Sequence, residues 1–178
     1  MNLSNCNIGD AGCEALSELL ISSKYLATLK LKFANIASAG MISLFDTIGN
    51  SKQPRITESS SAPQYAIRDP PLHVHRSCVL QYLDLTGNDF SDAAVPSLCN
   101  MIVHSSLSNL ILRSTSWMKG FGDGLSQLLD SFQKHHNREG HIPIQLKLLD
   151  LRGHEIGEQL EMELWHCNEG TCVLTGEH

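Results

Sequence analysis

Apolar residues fall on one frame that recurs five times along the chain. The clearest copy reads Leu80-x-x-Leu83-x-Leu85-x-x-Asn88-x-Phe90, then Leu98 and Met101-Ile102. Upstream, the frame gives Met1-x-Leu3-x-x-Cys6-x-Ile8, then Leu16 and Leu19-Leu20. It then gives Leu26-x-x-Leu29-x-Leu31-x-x-Ala34-x-Ile36, then Leu44 and Thr47-Ile48. Downstream come Leu107-x-x-Leu110-x-Leu112-x-x-Thr115-x-Trp117 with Leu125 and Leu128-Leu129, and Leu146-x-x-Leu149-x-Leu151-x-x-His154-x-Ile156 with Leu164 and Cys167. An apolar residue always follows the Ile8, Ile36, Phe90, Trp117 or Ile156 position by eight residues, and another follows it by eleven or twelve. The step is 28 residues from Cys6 to Ala34 and 27 from Asn88 to Thr115. It stretches to 54 between Ala34 and Asn88 and to 39 between Thr115 and His154, which marks two insertions.

The first half of each copy, as in Leu83-x-Leu85, alternates at period two and predicts a strand with one buried face. The second half, as in Leu98, Met101 and Ile102, has helical spacing. Asp10, Ser38 and Asp92 share a position just before these helices and predict N-caps. Gly12 and Gly40 recur one turn later, where a small residue lets elements pack closely. One strand and one helix cannot bury an apolar side alone. Stacked copies can, as a parallel sheet with a layer of helices over it.

The pattern resembles the leucine-rich repeat, and its period resembles the ribonuclease-inhibitor-like subclass. The resemblance implies an α/β solenoid of about five strand–helix repeats, with a concave parallel sheet and outer helices. That family has Asn or Cys at the Asn88 position, where the side chain turns inward and satisfies backbone groups. Cys6 and Asn88 fit. Ala34, Thr115 and His154 depart, and Ala34 predicts a loosely held second repeat.

The frame covers residues 1–178 as a single domain with two interruptions. The stretch 49–78 carries Pro54, Pro63, Pro70, Pro71 and Ser59-Ser60-Ser61, and predicts a disordered loop. The stretch 134–143 is a short polar insertion, and 168–178 is expected to be a C-terminal tail. Met1 stands where the first strand's leucine belongs, so a longer parent scaffold or receptor is expected.

Composition narrows the function. Hydrophobic residues make up 42%, too many for a disordered chain. No apolar run is long enough for a membrane span, and Met1 to Ile8 lacks the pattern of a signal peptide. A cytoplasmic or nuclear protein with reduced cysteines is the expectation for Cys6, Cys13, Cys78, Cys99, Cys167 and Cys172. Residues 1–154 hold 13 acids and 13 bases, so the net charge of −6 sits entirely in 155–178. That balance argues against binding nucleic acid through its phosphates.

Candidate chemistry is sparse. His73-x-His75-x-x-Cys78 lacks a fourth ligand at standard spacing, and His135, His136 and His141 form no better set. Gly120-x-Gly122-x-Gly124 lacks the lysine of a phosphate loop. No cofactor, metal or small-molecule substrate is expected, and the chain reads as non-catalytic. What remains is the concave sheet face: Asn2 and Ser4; Thr28, Lys30 and Lys32; Tyr82, Asp84 and Thr86; Asn109, Ile111 and Arg113; Leu148, Asp150 and Arg152. Of these, Lys30, Lys32, Tyr82, Asp84, Arg113, Asp150 and Arg152 are the candidate contacts to a protein partner. The resemblance implies an interaction module within a larger intracellular scaffold. The family includes sensor regions of NOD-like receptors, activators of the Ran GTPase and the repeats of tonsoku genome-maintenance scaffolds. The alternative is an enzyme's regulator, either a Ran-type GTPase activator or the substrate-recognition subunit of a ubiquitin ligase.

Overall fold

In the computed structural model, the described residues are 1–52, 78–115, 123–137, 144–154, 162 and 172–175. Five short parallel strands form one sheet in sequence order: β1 (Thr28–Lys30), β2 (Tyr82–Asp84), β3 (Asn109–Ile111), β4 (Leu148–Asp150) and β5 (Cys172–Leu174). The register follows the sequence frame: Leu29, Leu83, Leu110 and Leu149 pair in line, and Val173 takes the next place. The helices are α1 (Gly9–Ser22), α2 (Ser38–Gly49), α3 (Val95–His104) and α4 (Asp123–His136), each packed on the next. Short 3₁₀ turns follow α2, at Asn50–Lys52, and precede α3, at Asp92–Ala94.

The core lies between sheet and helices. Leu29, Leu31, Leu83, Leu85, Leu110, Leu112, Leu149 and Leu151 enter it from the strands. Leu16, Leu20, Leu44, Phe45, Ile48, Leu98, Met101, Ile102, Leu128 and Phe132 enter from the helices. Phe45 and Phe90 meet edge to face across the second repeat boundary, with ring centroids 5.9 Å apart. Leu19, a frame position in the first helix, is instead 41% exposed, and Leu20 takes the core place beside it.

Several expectations change. The first repeat is not a full strand: it bridges Asn2 to Lys30, with the Leu3 N–H donating to the Lys30 carbonyl and the Lys30 N–H to the Met1 carbonyl, and the fifth strand comes from the segment expected to be a tail. The 49–78 insertion is narrower than its pattern suggested, because Gly49 ends α2 and Cys78 is buried in the core. Residues 53–77 lie outside the described residues. Helix α4 runs through Lys134 to His136, so the second interruption also begins later. The acids Glu155, Glu158, Glu161, Glu163, Glu169 and Glu177 and the glycines at 120 and 122 lie outside the described residues too, as do His73 and His75.

The predicted caps are not caps. Neither α1 nor α2 has a side-chain bond at its N-terminus. Asp10 instead reaches into the next repeat, where its Oδ1 accepts the Ala37 N–H at 2.8 Å. Ser38 does the same, its Oγ accepting the Ser91 N–H at 2.8 Å. Asp92 holds the third such place, and its Oδ1 has no partner among the described residues. The position joins repeats rather than ending helices, because the neighbouring repeat offers a fixed donor at that spot. Gly40 keeps its expected role: a Cβ there would stand 2.9 Å from the Asp10 Cα and from the Ile36 Cγ2.

Candidate functional site

The sheet face turned away from the helices is the surface expected to be concave. Beneath its edge runs a ladder of buried polar side chains. Asn88 is 2% exposed and makes four bonds: Nδ2 donates to the Leu31 and Leu85 carbonyls, both at 2.8 Å, and Oδ1 accepts the Ala34 and Ile36 N–H groups, both at 3.2 Å. The second repeat is therefore not loose at Ala34, because its neighbour supplies the missing partner. Thr115 donates to the Leu112 carbonyl at 3.1 Å. His154 Nε2 sits 2.7 Å from the same carbonyl, which can only accept, so that nitrogen carries the proton. The two departures from Asn thus keep part of the ladder with other chemistry. Cys6 does not join it. It is exposed, and its Sγ donates to the Ser4 carbonyl at 3.5 Å.

The residue just before each ladder position is left-handed in every repeat: Asn5 (φ 60°), Phe33 (φ 47°), Gly87 (φ 70°), Ser114 (φ 49°) and Gly153 (φ 83°). The chain must turn sharply there to leave the sheet and enter the outer layer. Asn and Gly accept that backbone easily, whereas a bulky residue costs roughly 1–2 kcal/mol. Phe33 bears that cost and is 58% exposed. Its ring lies over Gly87, where any Cβ would collide with ring atoms.

The charged candidates form a specific layout. In register, one row runs Lys30, Asp84, Ile111, Asp150, Leu174 across the strands. Asp84 is 1% exposed and Asp150 3%, so neither is a direct surface contact, and Ile111 is also buried. They sink because cations and hydroxyls close over them. Lys32 Nζ lies 3.3 Å from Asp84 Oδ2, and the Thr86 hydroxyl donates to Asp84 Oδ1 at 2.7 Å. Arg152 grips Asp150 with both arms, Nε to Oδ1 at 2.9 Å and Nη2 to Oδ2 at 2.7 Å, and Arg113 Nε lies 3.8 Å away. Burial pushes the Asp150 carboxyl up, but hydrogen bonds from the Arg152 side chain and main chain, with the Arg152 and Arg113 charges, hold it below its usual value. Lys30 Nζ stands over the Tyr82 ring, 5.7 Å from its centroid. Burial, then the Asp84 charge and hydrogen bond, then the Asp150 charge push the Tyr82 hydroxyl above its usual value.

The geometry brings all seven candidates onto one face and sorts them into two levels. Lys30, Lys32, Tyr82, Arg113 and Arg152 reach solvent, each partly buried, with Asp84 and Asp150 beneath. Phe33 was absent from the candidates. Its signal was a bulky apolar residue at the place where other repeats carry Asn5, Gly87, Ser114 and Gly153.

Among the described residues no cluster of His, Cys, Asp and Glu is arranged to hold a metal, and no helix is long and apolar enough to cross a membrane. Residues 2–17 and 76–99 match a family model described as Leucine Rich repeat. No curated protein matches the chain. Two matched segments, an in-register parallel sheet and its outer helices make this chain an α/β leucine-rich-repeat solenoid.

Proposed function

We propose that this chain is a non-catalytic protein–protein interaction module of the ribonuclease-inhibitor-like subclass, working within a larger intracellular scaffold. Its partner lies on the open sheet face. One observation carries the reading: the Lys32, Arg113 and Arg152 tips on this face are held by the Asp84 and Asp150 carboxylates buried under them, and Lys30 is held over the Tyr82 ring. Side chains held in this way lose little freedom when a partner arrives, which favours binding. Tyr and Arg at the centre of such a face are also frequent energetic anchors.

The test is a single chain carrying Lys30→Glu, Tyr82→Ala and Arg113→Glu together. Proteins captured by the wild type from a cell extract are quantified beside those captured by the variant, with circular dichroism checking that both are folded. Loss of the captured set is expected. Retention of every captured protein by a folded variant overturns the reading.

A further inference from the structure

The face carries two surplus positive charges, one at the Lys30, Lys32 and Asp84 end and one at the Arg113, Arg152 and Asp150 end, and the first end also carries the exposed Phe33 ring. Four cations (Lys30, Lys32, Arg113, Arg152) stand against two carboxylates (Asp84, Asp150) on this face, while the chain as a whole carries −6. Lys32 is matched by Asp84, and the two arginines share Asp150. Lys30 has an aromatic ring beneath it and no carboxylate partner among the described residues. Close by, Lys32 leads straight into Phe33, an exposed phenyl ring on a left-handed backbone, seated over Gly87. Thus three cross-repeat contacts line up along the boundary between β1 and β2: Lys30 on Tyr82, Lys32 on Asp84 and Phe33 on Gly87. The stretch from Tyr82 to Thr86 spans roughly 13 Å, the length of about four extended residues.

Strain of this kind persists where the surroundings hold it and where it serves a purpose. At the same frame position the other repeats use Asn, Ser or Gly, so nothing in the turn itself demands an aromatic. We propose that Phe33, Lys32 and Lys30 form a recognition subsite for an extended acidic segment of a partner protein. A carboxylate of that segment meets the Lys30 and Lys32 ammonium groups, and a neighbouring apolar side chain packs on the Phe33 ring. The choice of an acidic protein segment follows from charge complementarity with the Lys30 end of the face. The inference rests on the open-face reading above, and it adds the end of the face that is used and the chemistry of the occupant.

The probe is a display library of random dodecapeptides selected on the whole chain. Recovered sequences are expected to pair Asp or Glu with an adjacent aromatic or Leu, and to bind more weakly as salt rises. Phe33→Asn, which keeps a residue suited to the turn, should weaken those peptides about tenfold or more. Lys30→Gln should weaken them about threefold. Tyr25→Ser, at an aromatic 91% exposed between α1 and β1, should leave binding unchanged. Thermal unfolding of each variant checks the fold, and if Phe33→Asn unfolds, the Lys30→Gln and salt results decide. Failure to recover acidic peptides overturns the proposal, as does full binding by folded Phe33→Asn. If Phe33→Asn is silent but Arg113→Glu weakens binding, the open-face reading stands and this subsite falls. If both are silent, both fall. Self-association of the wild type that Phe33→Asn abolishes would assign the subsite to a second copy and overturn the acidic-partner assignment.

Discussion

Asn88 and Ala34 occupy the same place in adjacent repeats, and Asn88 Oδ1 accepts the Ala34 N–H at 3.2 Å. One side chain therefore serves two repeats. Replacing it strands four backbone groups in a buried site: the Leu31 and Leu85 carbonyls and the Ala34 and Ile36 N–H groups. Each such group costs about 1–3 kcal/mol when left unpaired. Asn88→Ala should lose about 3 kcal/mol or more by urea titration. Asn88→Asp, which keeps the acceptor oxygen but not the donors, should also destabilise, because it puts a carboxylate against two carbonyls.

Gly40 marks a second joint. An added methyl would press on the Asp10 and Ile36 atoms beside it, and Asp10 holds the bridge to Ala37. Gly40→Ala should therefore destabilise by about 1–3 kcal/mol, although alanine usually favours a helix. Paired measurements with Asp10→Ala should show the two effects to be non-additive, since both act on one contact.

Acid should weaken the sheet face through Asp150. Its carboxyl lies below the ordinary value when folded, so the unfolded chain binds more protons than the native one as the medium turns acidic. This stabilising contribution is complete above the unfolded value of about 3.9 and is lost as pH falls through the folded one. Asp150→Asn should lower stability at neutral pH and flatten its decline in acid. Urea titrations repeated across that range measure both.

Thiol reactivity should divide the cysteines by layer. Burial, then the nearby Asp10 charge, pushes the Cys13 thiol up to about 11, and burial also raises Cys78 and Cys99. Cys6 is exposed. Alkylation near neutral pH, followed by mass spectrometry, should modify Cys6 well before these three, which should react only on unfolding. Equal labelling of Cys13 and Cys6 in the folded chain would contradict the stacking of α1 on the core.

The strands were legible because leucine spacing is imposed by the core itself. Leu29, Leu83, Leu110 and Leu149 pair in the predicted frame for that reason. Strand β5 was missed because Val173 follows Leu149 by 24 residues rather than 27 or 28 and has no Leu-x-Leu beside it. The run Thr171 to Thr175, rich in strand-forming residues, was the available hint. The caps failed differently. Asp10 and Ser38 are good capping residues by local preference, but a donor in the next repeat competes for them. Likewise, alternation places Asp84 and Asp150 on the open face, and only the reach of Lys32 and Arg152 from their own positions decides that the acids end up covered.

The unequal steps between strands have a kinetic consequence. Leu83 and Leu110 are 27 residues apart, whereas Leu29 and Leu83 are 54 apart, yet both pairs meet in the same register. Doubling a closing loop adds only about 0.6 kcal/mol of entropy, so the longer closure is tolerated at equilibrium. It is nonetheless expected to be the later event, because the β2–β3 contact forms across a shorter search. The boundary after α2 is therefore expected to close late in folding, and the Lys30–Tyr82, Lys32–Asp84 and Phe33–Gly87 contacts, which all cross it, should form with that closure.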